Sequence, residues 1–305
     1  MTMRIFPGTR HLGLAALASL WLVMPAKAQQ SFNSPDDAAS ALADAVKSGM
    51  RQNILKVLGA NGEDIVSSGD EVADSDARSK FLSAYDAKHS VKVDGKKAFL
   101  IIGADSFPFP IPLAHTKAGW EFDTDEGRQE ILYRRIGRNE LDAIQTSLAI
   151  FDAEYEYAER DRGEGVGVYA QRIVSSPGKK DGLYWPSDSK DSPLGELAAD
   201  ASAEGYKAGS EPQPYHGYYY RILTQQGQSA PGGALSYVVK GKMIGGFALV
   251  AYPADYGNSG VMTFMVNHVG TVYEKDLGEN TAARVKGMTS FDPDKTWKNV
   301  DIPLE

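Results

Sequence analysis

The chain has no cysteine. That excludes disulfides, thiolate metal sites, a cysteine nucleophile and lipid attachment through an N-terminal cysteine. It also lacks a basic tract, since 32 Lys and Arg stand against 40 Asp and Glu for a formal charge of −8. Nucleic-acid binding needs cations clustered to meet phosphates, so no such partner is expected. Long apolar runs are absent as well: the longest, Leu12 to Met24, is about thirteen residues, short of the ~20 that span a bilayer. What is present is ordinary. Across 305 residues, 42% are hydrophobic and 24% charged, enough to bury a sizeable core in about two domains of ~150 residues each.

Residues 1–28 have the organisation of an export signal. Arg4 and Arg10 precede the apolar run, and Ala26-Lys27-Ala28 fits the small-x-small rule for cleavage before Gln29. Removal of Arg4, Arg10 and Lys27 leaves 29 basic residues against the same 40 acidic ones, a charge near −11. The mature chain is expected to be exported, periplasmic or extracellular, with no membrane span.

Residues 29–137 suggest a small α+β domain. Ser34-Pro35-Asp36-Asp37 combines a capping serine, a proline at the first helical position and acids in the first turn. Ala38, Leu42, Ala45 and Val46 would form its buried stripe. A short helix follows near Gln52–Leu58. Asp74 is expected to cap a third, with Ala77, Phe81, Leu82 and Tyr85 on its apolar face. Val91–Val93 and Ala98–Ile102 flank Asp94-Gly95, which suits a type I′ hairpin turn. Three prolines in Phe107–Pro112 remove ladder donors, so an extended edge with inward aromatics is expected there. Asp123-Thr124-Asp125 reads as the cap of one more helix.

A long helix then opens residues 138–278. From Asn139 to Glu159, Leu141, Ile144, Leu148, Phe151, Tyr155 and Ala158 recur at helical spacing. Asp142, Gln145, Asp152, Glu156 and Glu159 fall on the other side. A short helix is expected from Pro193 to Ala203. Later runs at Tyr218–Leu223, Tyr237–Val239, Gly246–Tyr252, Val261–Asn267 and Thr271–Lys275 read as consecutive antiparallel strands. The expected fold class is therefore α+β: N-terminal helices with a small antiparallel sheet, then a long helix packed on an antiparallel sheet. Residues 279–305 are polar and are expected to be poorly ordered or draped on the surface, with Phe291 and Trp297 as anchors.

Several stretches resemble a family of uncharacterised exported bacterial proteins, domain of unknown function 2950. They are Arg134–Glu140, Tyr215–Leu223, Gly245–Pro253 and Asp255–Phe264. The resemblance covers nearly the whole mature chain, and the family supplies no activity to carry over. The second half is also similar to the globular part of type IV pilin-like and pseudopilin proteins. The residues concerned are Ala153-Glu154-Tyr155-Glu156-Tyr157, Gly217-Tyr218, Phe247 to Pro253, and Gly260 to Val272. Pilins assemble through an apolar N-terminal half of their long helix, and this mid-chain helix lacks that extension.

Candidate chemistry is sparse. Gly257-Asn258-Ser259-Gly260 has the outline of a serine nucleophile loop, with His216 and Asp255 upstream, but a glycine-rich turn accounts for it more simply. The histidines His89, His115, His216 and His268 show no ligand spacing, so no metal site is expected. His216 stands beside Tyr215 and Tyr218–Tyr220; core and edge packing accounts for these tyrosines, and the alternative is an aromatic face that reaches solvent and binds a ligand or partner. Arg134 and Arg138 are four apart and share a face; an ion-pair network with Asp123, Asp125, Glu130 or Glu140 at the domain junction is expected, with an anion or carboxylate site as the alternative. The acidic run Asp152, Glu154, Glu156 and Glu159 is expected to be the solvated side of the helix, with cation binding as the alternative.

No set of acid, base and nucleophile converges, and no cofactor is implied. The leading expectation is a non-enzymatic exported binding module that uses His216, Tyr218, Tyr220, Arg134 and Arg138 for an envelope protein or small ligand. The alternatives are an envelope hydrolase with a composite site and an accessory of a pilus or secretion assembly.

Overall fold

Ser34 starts the first helix as its sequence dictates: its Oγ accepts the Asp37 N–H, and Pro35 follows. That helix, α1 (Pro35–Lys47), buries Ala38, Leu42, Ala45 and Val46. The computed structural model describes residues 29–186, 188–206 and 213–300. The export signal and residues 301–305 of the polar tail lie outside them.

Next come α2 (Arg51–Leu58), α3 (Glu63–Val66) and α4 (Glu71–Ala87). Asp70, not Asp74, caps α4, accepting the N–H groups of Val72 and Ala73. Asp74 instead accepts from the Ser68 N–H and hydroxyl, so the turn at Ser68-Gly69 closes one helical turn earlier than expected. Tyr85 is the buried residue of α4, Phe81 and Leu82 are half-buried, and Ala77 is exposed.

The first sheet holds β1 (His89–Asp94), β2 (Lys97–Ile102), β3 (Phe107–Pro108), β4 (Leu113–His115) and β5 (Trp120–Phe122). Its order is β1-β2-β4-β5, with β3 beside β2, and every pairing is antiparallel. Asp94 pairs with Lys97, which leaves Gly95 and Lys96 as the hairpin loop. Gly95 alone has positive φ, at 60°. That is the type II′ pattern; type I′ would need both central residues left-handed. The proline-rich segment is an edge, but its aromatics divide. Phe109 packs inward while Phe107 is exposed.

The helix expected to start at Asp123 and the one expected from Asn139 are a single element, α5 (Thr124–Ala158). Its 35 residues reach about 52 Å at 1.5 Å per residue. Asp123 caps it by accepting the Glu126 N–H. Gly127 and Gly137 do not interrupt it, because an interior glycine weakens a helix by only ~1 kcal/mol. Gly127 is also required by space: a Cβ would stand 2.6 Å from the Ile111 Cα. One hydrophobic core, from Phe32 to Phe122, meets α5 at Ile131. A second begins at Ala143 and runs to Phe291. The helix is the common wall of both.

The buried line of α5 is shifted from the expected seam. Ala143, Ser147, Ile150 and Ala153 are buried, Ile144, Leu148 and Phe151 flank them, and Leu141 is 64% exposed. Small side chains let the helix approach the sheet closely, so large apolar residues straddle the contact. A seam counted from large residues alone therefore misses its centre.

Beyond α6 (Gly195–Glu204), β6 (Tyr218–Leu223) leads to a side excursion. It comprises β7 (Gln225–Gln226), β8 (Leu235–Ser236), β9 (Val238–Val239) and β10 (Lys242–Met243). These form two small two-stranded sheets, so the expected strand at Tyr237–Val239 stays out of the main sheet. That sheet is completed by β11 (Ala248–Pro253), β12 (Met262–Asn267) and β13 (Val272–Asp276), then α7 (Thr281–Lys286) and β14 (Lys298–Asn299). Its order is β14-β13-β12-β11-β6, antiparallel throughout.

The C-terminal segment is part of the core, contrary to expectation. Arg221 of β6 donates to the carbonyls of Val285 and Met288, and Phe291 is fully buried against Tyr273. With α5 on one face and this segment on the other, β11 and β12 are buried on both sides. Their near-continuous hydrophobic runs follow from that position.

Candidate functional site

A cavity of about 430 Å³ opens between the N-terminal helices and the first half of α5. Leu42 and Val46 of α1, Ile54 and Leu58 of α2, and Phe81 of α4 line its apolar wall. Phe109 and Ile111 from the proline-rich edge and Ile131 of α5 complete that wall. Arg78 of α4, Arg135, Arg138 and Asp142 of α5, Glu204 of α6, Tyr206 and His216 also line it. A largely apolar hollow with a few converging polar groups, inside the roughly 300–1,000 Å³ range of small-molecule pockets, is the form such sites take.

His216 owes its place to strained backbone. Its φ is +49° and that of Gly217 is +74°. A Cβ on Gly217 would sit 2.5 Å from the Asn139 amide nitrogen, so only glycine fits there. The Gly217 N–H donates to Asp70 Oδ2 at 2.9 Å, and the Tyr206 hydroxyl donates to the same oxygen at 2.8 Å. One buried carboxylate thus caps α4 and fixes the histidine turn. Its charge, after burial, also pushes the Tyr206 hydroxyl pKa well up. The His216 ring faces Asp142 Oδ2 at 3.6 Å through Nδ1 and Glu204 Oε2 at 3.3 Å through Nε2. Tyr215 leans on the imidazole with centroids 4.1 Å apart.

Of the five residues singled out from sequence, His216 and Arg138 line this one cavity. Arg134 turns away, pairs with Glu130 at 2.5 Å and lies over the Phe107 ring. Tyr218 is fully buried and donates to the Met262 carbonyl at 2.9 Å, so it belongs to the core. Tyr220 is held in β6, its hydroxyl donating to the Tyr215 carbonyl at 3.4 Å, and burial raises its pKa. Neither tyrosine lines the cavity.

The residue passed over is Arg135. It donates to the carbonyls of Asp64 and Ile65 in α3 and to Asn258 Oδ1, so one guanidinium ties an N-terminal helix to the β11–β12 connection. Desolvation lowers its pKa, partly offset by nearby carboxylates. Ile131, Arg135, Arg138, Asn139 and Asp142 share one helical stripe. The spacing of Arg134 and Arg138 selects a different line of the helix, and a polar stripe gives no hydrophobic signal.

The Gly257–Gly260 loop is structural. Ser259 is buried, its Oγ accepting the Asp255 N–H at 2.9 Å and donating to the Asp255 carbonyl at 3.2 Å. Asn139 donates to the Ser259 carbonyl, and Glu140 accepts the Val261 and Met262 N–H groups. His216 faces Asp142 and Glu204 instead, so these contacts assemble no Ser-His-Asp relay.

The acidic run of α5 divides. Asp152, Glu156 and Glu159 are exposed, whereas Glu154 is fully buried. Its Oε2 accepts the Ala170 N–H at 2.8 Å, while Oε1 has no hydrogen-bond partner. Desolvation raises its pKa well above the usual carboxylate range, against the lowering effect of that hydrogen bond. No group of three or more His, Asp or Glu able to hold a metal occurs among the described residues. No helix among them is long and apolar enough to cross a membrane.

No curated protein and no solved structure matches the chain. A family model described as a protein of unknown function, DUF2950, matches residues 29–300, and the chain belongs to that family.

Proposed function

We propose that the protein is exported to the cell envelope and binds a small organic ligand in the cavity between α4 and α5, without catalysing a reaction. The cavity carries this reading: a hollow of about 430 Å³ lined both by large apolar side chains and by charged and polar ones. Export is supported by the family match, which begins at residue 29, directly after Ala26-Lys27-Ala28. Gln29 is anchored, its Nε2 donating to the carbonyls of Val57 and Phe122. A chain starting there keeps every later contact.

A hydrolase is disfavoured because Ser259 and His216 are each committed elsewhere. A role in pilus assembly is disfavoured because the first half of α5 is already occupied. Gly127 packs on Ile111, and Arg128 and Arg135 bind the α3 segment.

The cavity is tested with the mature chain and the fluorescent probe 1-anilinonaphthalene-8-sulfonate. Ala77, exposed and on the cavity lining, accepts a larger side chain without loss of core packing. Saturable one-to-one binding to the native chain, lost in Ala77→Trp, is expected. Absence of saturable binding, or equal binding to both proteins, contradicts the reading.

A further inference from the structure

The polar lining of this cavity is unevenly satisfied. Among its carboxylates, Asp74 accepts from Ser68 and Asp76 is paired with Lys80, while Asp142 and Glu204 stand 3.6 and 3.3 Å from the two ring nitrogens of His216. Among its cations, Lys80 is paired with Asp76, and Arg135 is spent on two backbone carbonyls and Asn258. Arg78 and Arg138 remain. Neither has a hydrogen-bond or ion-pair partner among the described residues, and they line the one cavity from two different helices, α4 and α5. Four carboxylates and four Lys or Arg side chains line the cavity, so its formal charges balance; what an anion would supply is the missing partner of Arg78 and Arg138. The same cavity has hydrocarbon wall contributed by Leu42, Val46, Ile54, Leu58, Phe81 and Ile131.

We infer that the ligand is a single-chain amphiphile with an anionic head. Its alkyl tail fills the hollow, and its carboxylate or phosphate is held by Arg78 and Arg138. The inference rests on the cavity being a binding site and adds the class of ligand. Guanidinium suits either head, because its fork of N–H donors meets two oxygens of a carboxylate or a phosphate at once. Transfer of the tail from water drives binding by about 0.8 kcal/mol per buried methylene. The head then fixes which end meets the two arginines. A cationic amphiphile with the same tail would place its charge against two unpaired guanidinium groups and be rejected.

The test is competition against bound 1-anilinonaphthalene-8-sulfonate by four ligands with one tail: decanoate, monodecyl phosphate, decanol and decyltrimethylammonium, each below its micellar concentration. At least one anion is expected to bind ten-fold or more tightly than decanol, and the cation more weakly than decanol. Which anion binds more tightly tells a fatty acid from a lipid-derived phosphate. In Arg78→Gln and in Arg138→Gln, anion affinity should fall about ten-fold while decanol affinity stays unchanged. Neither side chain has a protein partner to lose, so both variants keep the fold, and circular dichroism checks this. Equal binding of decanol and both anions, or anion affinity unchanged in both variants, overturns the anionic head and leaves the cavity reading standing. Failure of all four ligands to displace the probe overturns both.

Discussion

The two halves of the molecule use the same helix differently. On the second half of α5, the five-stranded sheet is closed on one face by the helix and on the other by α7 and Phe291. Tyr218, Phe247, Phe264 and Phe291 are fully buried there. On the first half, four helices and a small sheet pack around a hollow that their side chains line without filling. A double-sided sheet fixes side chains at every position and leaves no room. The short helices meet the long one around a gap, and the chain lines that gap with both apolar and charged side chains. The filled half has the make-up of a scaffold, and the unfilled half holds the space in which we propose that a ligand binds.

Substitutions that separate scaffold from site should differ most in cost. Phe264→Ala removes a fully buried ring beside Tyr218 and is expected to cost about 3–5 kcal/mol. Phe81→Ala, on the half-buried cavity wall, should cost under about 2 kcal/mol, since it exposes less surface and extends an existing space. Denaturant unfolding measures both, and equal costs would erase the distinction.

Arg135→Ala comes next, at about 2 kcal/mol, the scale of a hydrogen bond to a charged group. It cuts the tie between α3 and Asn258, so amide exchange should quicken in α3 and leave β11 and β12 unchanged. A uniform change across both halves would show that this guanidinium is not a local tie.

A smaller effect, and one confined to the filled half, depends on pH. The folded-state pKa of Glu154 is raised above its ordinary value of 4.5 by desolvation. Around pH 4 the carboxyl is protonated folded and unfolded alike. As pH rises past 4.5 the unfolded chain ionises first, so stability falls until the folded-state pKa is passed. Glu154→Gln should remove that fall: its Tm should match the native Tm near pH 4 and exceed it at pH 7. Parallel profiles for the two proteins would contradict the buried, protonated state. Smallest in stability is Ala77→Trp, within about 0.5 kcal/mol of native as an exposed change, although binding is lost.

The fold was largely legible in the sequence. Ser34-Pro35 placed α1, and the strand runs placed β6, β11, β12 and β13. Misreadings had local causes. Asp123-Thr124-Asp125 is a true cap, but nothing after it stops the helix, because interior glycines do not. Phe291 and Trp297 were noticed as anchors, yet the polar segment around them hid a strand and a short helix. The candidate site was half legible. His216 stood out by its aromatic neighbours and Arg138 by its spacing. The cavity did not, because its wall draws Leu42, Ile54, Phe81, Ile111 and Ile131 from five separate segments. Each of these looks like an ordinary core residue along the chain, and a gap between elements leaves no periodicity. Glu154 was lost in a run of acids whose other members are exposed.

The central claim is that ligand enters the cavity beside α4 and α5 and that the sheet is scaffold. Titration of the isotope-labelled mature chain with decanoate, followed by amide chemical shifts, tests it most directly. Saturable shifts at Ala73, Ala77, Arg78, Arg138 and His216, with β11 and β12 unmoved, are predicted. Shifts centred on the sheet, or none at any residue lining the cavity, would contradict it.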